Sequence, residues 1–442
     1  MSRKVYLSFL GLGPFNKERN KNNYNKTVYE FQGQKSSETR FVQIAEQELL
    51  GTDYFDVIFI ATTQQSRKVH GEKLLALFER CGAKAEISFV ELEEDMTEKG
   101  QWRWFEEIFN VIEHGDHLTV DLTHGYRSIP IIFSTAINFL QKTKKILLEH
   151  VLYGAYEADR NCAPIVDMRS FYDINIWADA MNRLAEDADA AGLAEAAEMT
   201  GSMQFPALSN REFVSSCQVL TRRIKNVDVN NVSGEVCGLM KKISELKAGT
   251  DAGTIELLEL LEKKFSSLCE EKIQNPDRDG YAVTYFRQQL ELVELLLQHD
   301  LMMQAFTVMR QWLSSLVMPF FEQTEKMKAN KRRKRQKYYG DLFFNMLQYP
   351  EEEWKFSGKE MEKKERIEPW YRKLREAGVL DPLIQGKLPL AKELSDYRNG
   401  LDHAWIGRAR MKDDVEQKAG YFLDCLRQTC TLFEKMQAEE TE

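Results

Sequence analysis

The sequence predicts an α/β domain built on a mostly parallel sheet, followed by an all-helical domain. Three observations lead there. Short apolar, β-rich runs alternate with amphipathic stretches over residues 1–170. The strand signal then stops, and helix-length patterns succeed one another to the end of the chain. At 442 residues, the polypeptide also exceeds what a single hydrophobic core comfortably serves.

In chain order, residues 5–10, 57–62, 87–92 and 118–123 read as buried strands, with 146–153 and 164–168 as two more. Residues 37–50, 72–81, 101–113 and 129–144 read as the intervening helices. Alternation of this kind predicts a sheet covered on both faces, with ligands bound beyond the carboxyl ends of its strands. Residues 177–199, rich in Ala, Glu and Asp, read as a helix leading away from the sheet, and 201–210, holding Pro206, as a linker. The expected organisation is a sheet domain over 1–170, a helical connector over 171–210 and an all-helical domain over 211–442. Within the last, 283–300 and 302–318 carry Leu and Met at helical spacing, which marks core.

Composition narrows the function classes. A 43% hydrophobic and 29% charged chain is an ordinary globular one. Its formal charge of −9 argues against coating nucleic acid by bulk electrostatics, so any RNA contact needs a local basic patch. Seven scattered cysteines without a CxxC pair suggest free thiols in a reducing cytoplasm and give no zinc framework. The apolar run 129–140 is broken by Ser134, Thr135 and Asn138 and is too short to span a bilayer. Arg3 and Lys4 precede an apolar stretch shorter than a signal-peptide core, with Gly11 directly after it; the stretch reads as a first strand and the protein as cytoplasmic.

Three loops should gather at the carboxyl edge of the sheet: residues 10–15, 62–66 and 121–128. Gly11-Leu12-Gly13 invites a dinucleotide-cofactor reading, but Asn16 stands where the third glycine belongs, and a tight strand-end turn is the plainer meaning. Thr62, Thr63 and Gln64 supply hydroxyls and an amide. Asp121-Leu122-Thr123-His124-Gly125 is the sharper signal. A strand ending at Thr123 would offer a hydroxyl, a histidine ring and a glycine that admits close approach to the backbone. Ser128 would cap the next helix, with Pro130 in its first turn and the positive helix end facing an anionic ligand. Arg127 adds a charge partner. A lone turn histidine is usually just satisfied locally; in this setting, the binding role outweighs that reading.

A DxTHG strand end on an amino-terminal α/β domain resembles the Rossmann-like CARF domains of CRISPR-associated effectors. The likeness covers the first 170 residues and rests on Asp121, Thr123, His124 and Gly125. It implies a homodimer that shares one cyclic oligoadenylate, of four adenylates for this branch, made by a type III complex. Gly11, Leu12, Gly13, Thr62, Thr63, Gln64 and Arg127 join that ligand set by location.

Near the carboxyl terminus stands Ser395-Asp-Tyr-Arg-Asn-Gly-Leu-Asp-His403. Arg398 and His403 would lie about 140° apart on an unbroken helix. Asn399-Gly400 reads as a helix stop, with the glycine left-handed, so that His403 turns toward Arg398. RNA can be cut by its own 2′-hydroxyl when a histidine moves a proton and a cation steadies the crowded phosphate. Arginine suits the second task because its fork matches phosphate oxygens. Arg-x4-His is common by chance. Placed in a helical domain downstream of DxTHG, it resembles the HEPN ribonucleases fused to CARF domains, and Asn399 after the arginine agrees. The resemblance implies a composite site with Arg398, Asn399 and His403 from two subunits, acting on single-stranded RNA without metal or other cofactor. DNA, lacking the 2′-hydroxyl, should be a poor substrate.

The run over residues 326–337 is the strongest basic cluster. Lys331, Arg332, Arg333, Lys334 and Arg335 read equally as a mobile, solvated loop or as a guide for an RNA backbone, with Tyr338 and Tyr339 available to stack on bases. The remaining histidines show no metal-ligand pairing; His114 and His117, around Gly115-Asp116, read as surface residues. Two overall readings remain: an activator-switched endoribonuclease coupled through residues 171–210, or a non-catalytic sensor that changes RNA or protein association. A sheet domain that slowly cleaves its own activator through Thr123 and His124 is a further possibility.

Overall fold

The computed structural model describes residues 2–16, 21–95, 97–124, 129–200, 205–269, 279–386, 388–403 and 415–439. The chain divides into two compact units, Met1–Ile176 and Trp177–Glu442.

An eight-stranded, mostly parallel sheet forms the first unit. Five neighbouring strands run in parallel: β1 (Lys4–Leu10), β6 (Val57–Thr62), β7 (Glu86–Glu91), β8 (His117–Asp121) and β9 (Leu147–Gly154). Beyond β9 lie β10 (Cys162–Asp167), β4 (Val28–Phe31) and β5 (Gln34–Lys35), giving the order β5-β4-β10-β9-β8-β1-β6-β7. β1 pairs in parallel with both β6 and β8, and β8 with β9. Alternation along β1 shows why the sheet is covered on both faces. Val5, Leu7 and Phe9 enter one core with Trp104 and Ile108 of α4 (Glu98–Val111) and Phe133 and Ile137 of α5 (Ile129–Thr143). Tyr6 and Leu10 enter the other, with Ile44 of α1 (Val42–Leu50) and Leu74 and Phe78 of α3 (Glu72–Cys81). Each such side chain, fully buried, stabilises the fold by roughly 1.5–3 kcal/mol before entropy is counted. The chain builds outward from β1 through β6 to β7, then returns to the other side of β1 for β8 and β9. That reversal places a crevice at the carboxyl ends of β8, β1 and β6.

Two hairpins were not expected. β2 (Phe15–Asn16) pairs with β3 (Lys21–Asn22), and β4 pairs with β5 at the sheet edge. Gln32 and Gly33 join β4 to β5 with positive φ at both, the two-residue geometry that matches strand twist. The first helix also starts later than expected, at Val42, because Thr27 and Thr39 form a backbone bridge ahead of it.

Among the described residues no strand follows Asp167. The stretch 177–199 is two helices, Arg169–Asp187 and Ala191–Thr200, separated where Ala188 takes φ +46°. The Trp177 indole donates to the Thr200 hydroxyl at 3.0 Å and ties one to the other. The second unit's core is aromatic: Trp312 donates to the Phe286 carbonyl at 2.9 Å, and Phe306 packs on Tyr397 and Phe422. Cys237 and Cys269 form a disulfide, so the expectation of free thiols fails for this pair; the other five cysteines are free. Among the described residues no helix is long and apolar enough to cross a membrane.

Candidate functional site

A cavity of about 330 Å³ opens at the carboxyl ends of β1, β6 and β8. Gly11, Leu12 and Gly13 line it after β1, Thr62, Thr63 and Ser66 after β6, and Thr123 and His124 after β8. The three loops read from the sequence therefore meet. Gln64 is exposed and does not line the cavity. Gly125 and Arg127, like the capping residue Ser128, lie outside the described residues.

The strand ends at Asp121, two residues earlier than expected, because the Asp121 carboxylate folds the turn onto itself. It is fully buried and accepts from the Ser8 hydroxyl at 2.6 Å, from the Thr123 backbone N–H at 2.8 Å and from the Thr123 hydroxyl. Ser8 stands in register with Asp121 on the neighbouring strand, and the Gln43 amide donates to the Ser8 oxygen at 2.9 Å. Burial pushes the Asp121 carboxyl up to about 6, against the pull of these hydrogen bonds. The Thr123 hydroxyl in turn accepts from the Gly154 N–H at 2.8 Å. Thr123 was expected to offer that hydroxyl to a ligand; here it is spent between Asp121 and Gly154. Asp121 and Thr123 shape the turn, and His124 is the residue the turn presents.

The His124 ring packs against Tyr24 with centroids 4.3 Å apart and planes 36° from parallel. Its Nε2 is buried and has no hydrogen-bond partner. Burial, and secondarily the neighbouring His70, pulls its pKa down to about 4, so the ring is neutral at physiological pH. Behind it, Tyr24 lies 5.2 Å from His70, and His70 lies 5.8 Å from Phe41, forming an aromatic wall. The Tyr24 hydroxyl donates to the Gly11 carbonyl at 2.8 Å, and burial raises its phenol well above the ordinary range. His70 Nε2 lies 2.9 Å from the Leu12 carbonyl. A carbonyl accepts only, so that nitrogen carries the proton, and burial lowers the ring's pKa. Two bonds thus hold the loop after β1 against the wall. Gly13 takes φ +71°, and a Cβ there would sit 3.2 Å from the Tyr24 ring, so the loop needs glycine.

After β6, Thr63 caps a continuous helical path from α2 (Gln64–Ser66) through Arg67–Gly71 into α3. Its hydroxyl accepts from the Ser66 N–H at 3.3 Å, and the Ser66 oxygen accepts from the Thr63 N–H at 3.0 Å. Thr62 bonds the Ser66 hydroxyl at 2.6 Å. These hydroxyls satisfy one another and set the helix's positive end at the cavity rim. Tyr24 and His70 were not expected in the site, whereas Ser66 closes the 62–66 loop that was. Tyr24 and His70 stand alone in polar surroundings, and no local pattern in the sequence singles them out.

In the helical unit, the expected turn at Gly400 is absent. The helix Leu390–Asp402 runs through a buried Gly400, and its cap is His403, whose N–H donates to the Asn399 carbonyl at 3.1 Å. Burial of Leu394 and Tyr397 holds the helix, and an Arg398–Asp402 ion pair of 2.7 Å bridges the glycine. Arg398 also keeps a buried Nε without a hydrogen-bond partner. His403 is exposed, and the Asn399 amide lies 3.5 Å from the Ser395 hydroxyl. With the turn absent, nothing in the local backbone swings His403 back toward Arg398.

The basic run is not a loop. Residues Ala329–Arg335 form a helix. Arg332 pairs with Glu322 at 2.7 Å, Lys331 with Glu325 at 2.8 Å and Arg335 with Glu325 at 2.9 Å. Lys331, Arg332 and Arg335 are thus held by carboxylates; Arg333 and Lys334 are exposed. Tyr339 is buried against Phe321 and is no stacking platform, whereas Tyr338 is exposed. His117 is no bare surface residue either, since its Nδ1 lies 2.9 Å from Glu149. Among the described residues no cluster of three or more His, Cys, Asp or Glu is placed to hold a metal.

No family model matches the chain. A stretch of 75 residues is 31% identical to a CRISPR-associated protein of Methanocaldococcus jannaschii, covering 16% of this chain and 12% of that protein's length. Among solved structures, Enterococcus italicus Csm6 bound to cyclic hexa-2′-fluoro-hexa-dAMP is 11% identical, covering 98% of this chain and 95% of that one, at a TM-score of 0.41.

Proposed function

We propose that this chain is a type III CRISPR accessory effector, a homodimer whose sheet domain binds a cyclic oligoadenylate of four adenylates and whose helical domain then cuts single-stranded RNA. The observation that carries the reading is His124, the histidine of DLTHG, neutral and with an unpartnered Nε2 in a cavity where three strand-end loops converge. A neutral imidazole beside Tyr24 suits an adenine, which offers a stacking face and ring nitrogens to hydrogen-bond. The helix end after Thr63 suits its phosphate. The short stretch of identity to a CRISPR-associated protein supports the same reading.

In the helical domain, His403 takes the 2′-hydroxyl proton as that oxygen attacks the adjacent phosphorus. The bond to the 5′-oxygen breaks, the leaving oxygen regains a proton, and a 2′,3′-cyclic phosphate remains. Arg398 stabilises the charge on the phosphorane oxygens. Because the helix does not turn at Gly400, the reading places Arg398 of one subunit with His403 of the other. The Arg398–Asp402 pair favours a second reading, a non-catalytic sensor, since the cation is already engaged. Labelled single-stranded RNA incubated with the full chain in EDTA, with and without cyclic tetra-adenylate, separates them. The first reading expects ligand-stimulated cutting that His403→Ala abolishes. Absence of cutting by the intact protein, or cutting that survives the substitution, would refute it.

A further inference from the structure

A second cavity of about 390 Å³ lies beside the first, and Tyr24 lines both. It is formed by the β2–β3 hairpin and the segment after it, chiefly Phe15, Asn23, Asn25, Lys26 and Arg40. Its chemistry differs from that of the strand-end crevice. Phe15 is 56% exposed, a large apolar ring left in water with one face available. Asn23 and Asn25 add side-chain amides, which pair with the Watson–Crick and Hoogsteen edges of adenine. Lys26 and Arg40 bring two cations, and among the described residues no carboxylate lines the cavity. Lys26 reaches Glu38 at 3.1 Å, with both groups more than half exposed, a pair of little strength. The Arg40 guanidinium donates to the Tyr24 carbonyl, which fixes it behind the ring that divides the two cavities.

An exposed aromatic face, edge-reading amides and two cations are the parts of a single-stranded nucleotide subsite. We infer that this hairpin cavity is a second nucleotide subsite, taking a base on Phe15 and a backbone phosphate at Lys26 and Arg40 from the same oligoadenylate whose neighbouring nucleotide occupies the crevice at His124. The inference rests on the proposed function, and it makes the hairpin after β1 a specificity element. A ligand long enough to pass Tyr24 reaches groups that a mononucleotide cannot.

The test is calorimetric titration of the full chain with cyclic tetra-adenylate and, separately, with AMP, at several salt concentrations. Phe15→Ala should weaken cyclic tetra-adenylate about tenfold, in the range for loss of one base stack. Lys26→Gln should lower the slope of log affinity against log salt by about 0.7, the value for withdrawing one cation from a single-strand phosphate. AMP binding should be unchanged in both variants, and unchanged thermal unfolding shows that the fold is intact. Unaltered affinity and salt slope in both variants, while His124→Ala still weakens binding, would overturn the second subsite and leave the crevice reading standing. Absence of oligoadenylate binding by the unaltered protein would overturn both.

Discussion

His124 and Tyr24 stack at 4.3 Å, joining the turn after β8 to the hairpin segment after β1, and Tyr24 also bonds the Gly11 carbonyl. One side chain therefore organises two of the three loops around the cavity. Tyr24→Ala should weaken cyclic oligoadenylate by tenfold or more, a loss on the order of 1–3 kcal/mol of stacking. Tyr24→Phe keeps the ring, forfeits one hydrogen bond and should cost only a few-fold. Calorimetric titration of the two variants checks the order; equal losses would show that the hydroxyl, not the ring, matters.

Asp121 gives a pH dependence with a definite sign. Its carboxyl titrates near 3.8 when solvated and is pushed up to about 6 by burial. Between those values the folded state holds more protons than the unfolded one, so this group's contribution falls as pH rises through the window. His124, pulled down to about 4 from 6.5, acts with the opposite sign over an overlapping window, and buried Glu46, whose carboxyl is also raised, acts with the same sign as Asp121. Substitution isolates the one group. Asp121→Asn should gain stability relative to the unaltered chain as pH goes from 4 to 7, measured by urea unfolding at each pH. A difference constant with pH would mean that Asp121 is already ionised at pH 4.

Where structure follows from local pattern, the sequence disclosed it. β6 and α3 fall where alternation and helical spacing put them, and Thr123 and His124 of DLTHG line a cavity beyond a strand end. What stayed hidden depends on distant contacts. The β4–β5 turn uses Gln32-Gly33 in place of the usual Asn-Gly, so its hairpin carried no signal. His70 and Tyr24 become site residues only because the sheet brings their loops together. Gly400 looked like a stop because glycine favours helix ends, yet burial of Leu394 and Tyr397 on the same helix overrides that preference. The carboxylates facing the basic run, Glu322 and Glu325, lie on the preceding segment and could not be paired with it from spacing alone.

The Cys237–Cys269 bond closes a loop with a sequence separation of 32. On the chain-entropy account such a loop stabilises the fold by about 3–4 kcal/mol. Reduction with dithiothreitol should therefore lower the unfolding midpoint, and Cys237→Ser should do the same without reductant. Thiol titration of the denatured, unreduced protein should count the five free cysteines. A count of seven would refute the bond.

Glu325 receives Lys331, Arg335 and Arg366 at once; against its partial burial, Lys331 and Arg335 hold its carboxyl below the ordinary range. Glu325→Ala should destabilise the helical unit by about 1–3 kcal/mol, the scale for losing charge-assisted hydrogen bonds. It should also free basic groups and raise RNA affinity at low salt. Arg335→Ala should lower stability with little change in RNA binding, whereas Lys334→Gln should do the reverse. Filter binding across salt, beside thermal unfolding, separates the two effects; an Arg335→Ala variant that lost RNA binding at unchanged stability would place that cation on the RNA after all.

On the proposed function, Asp402 would compete with RNA for Arg398. The pair is 2.7 Å long and spaced i,i+4 on the helix, and pairs of that spacing contribute only about 0.3–0.5 kcal/mol to stability. Its removal should therefore barely move the unfolding midpoint. Its electrostatic effect on a bound phosphodiester is larger, because a carboxylate beside the phosphate repels it and occupies one side of the guanidinium fork. Asp402→Asn should thus lower the KM for RNA several-fold under ligand stimulation, with kcat nearly unchanged, and steepen the rise of KM with salt, because one more cation is free to meet a phosphate. Arg398→Ala should instead depress kcat by at least about a hundredfold, the scale of losing one transition-state donor. If Asp402→Asn depressed kcat as deeply as Arg398→Ala, the carboxylate would be the group that aims Arg398 at the phosphate, and its competition with the substrate would be disproved.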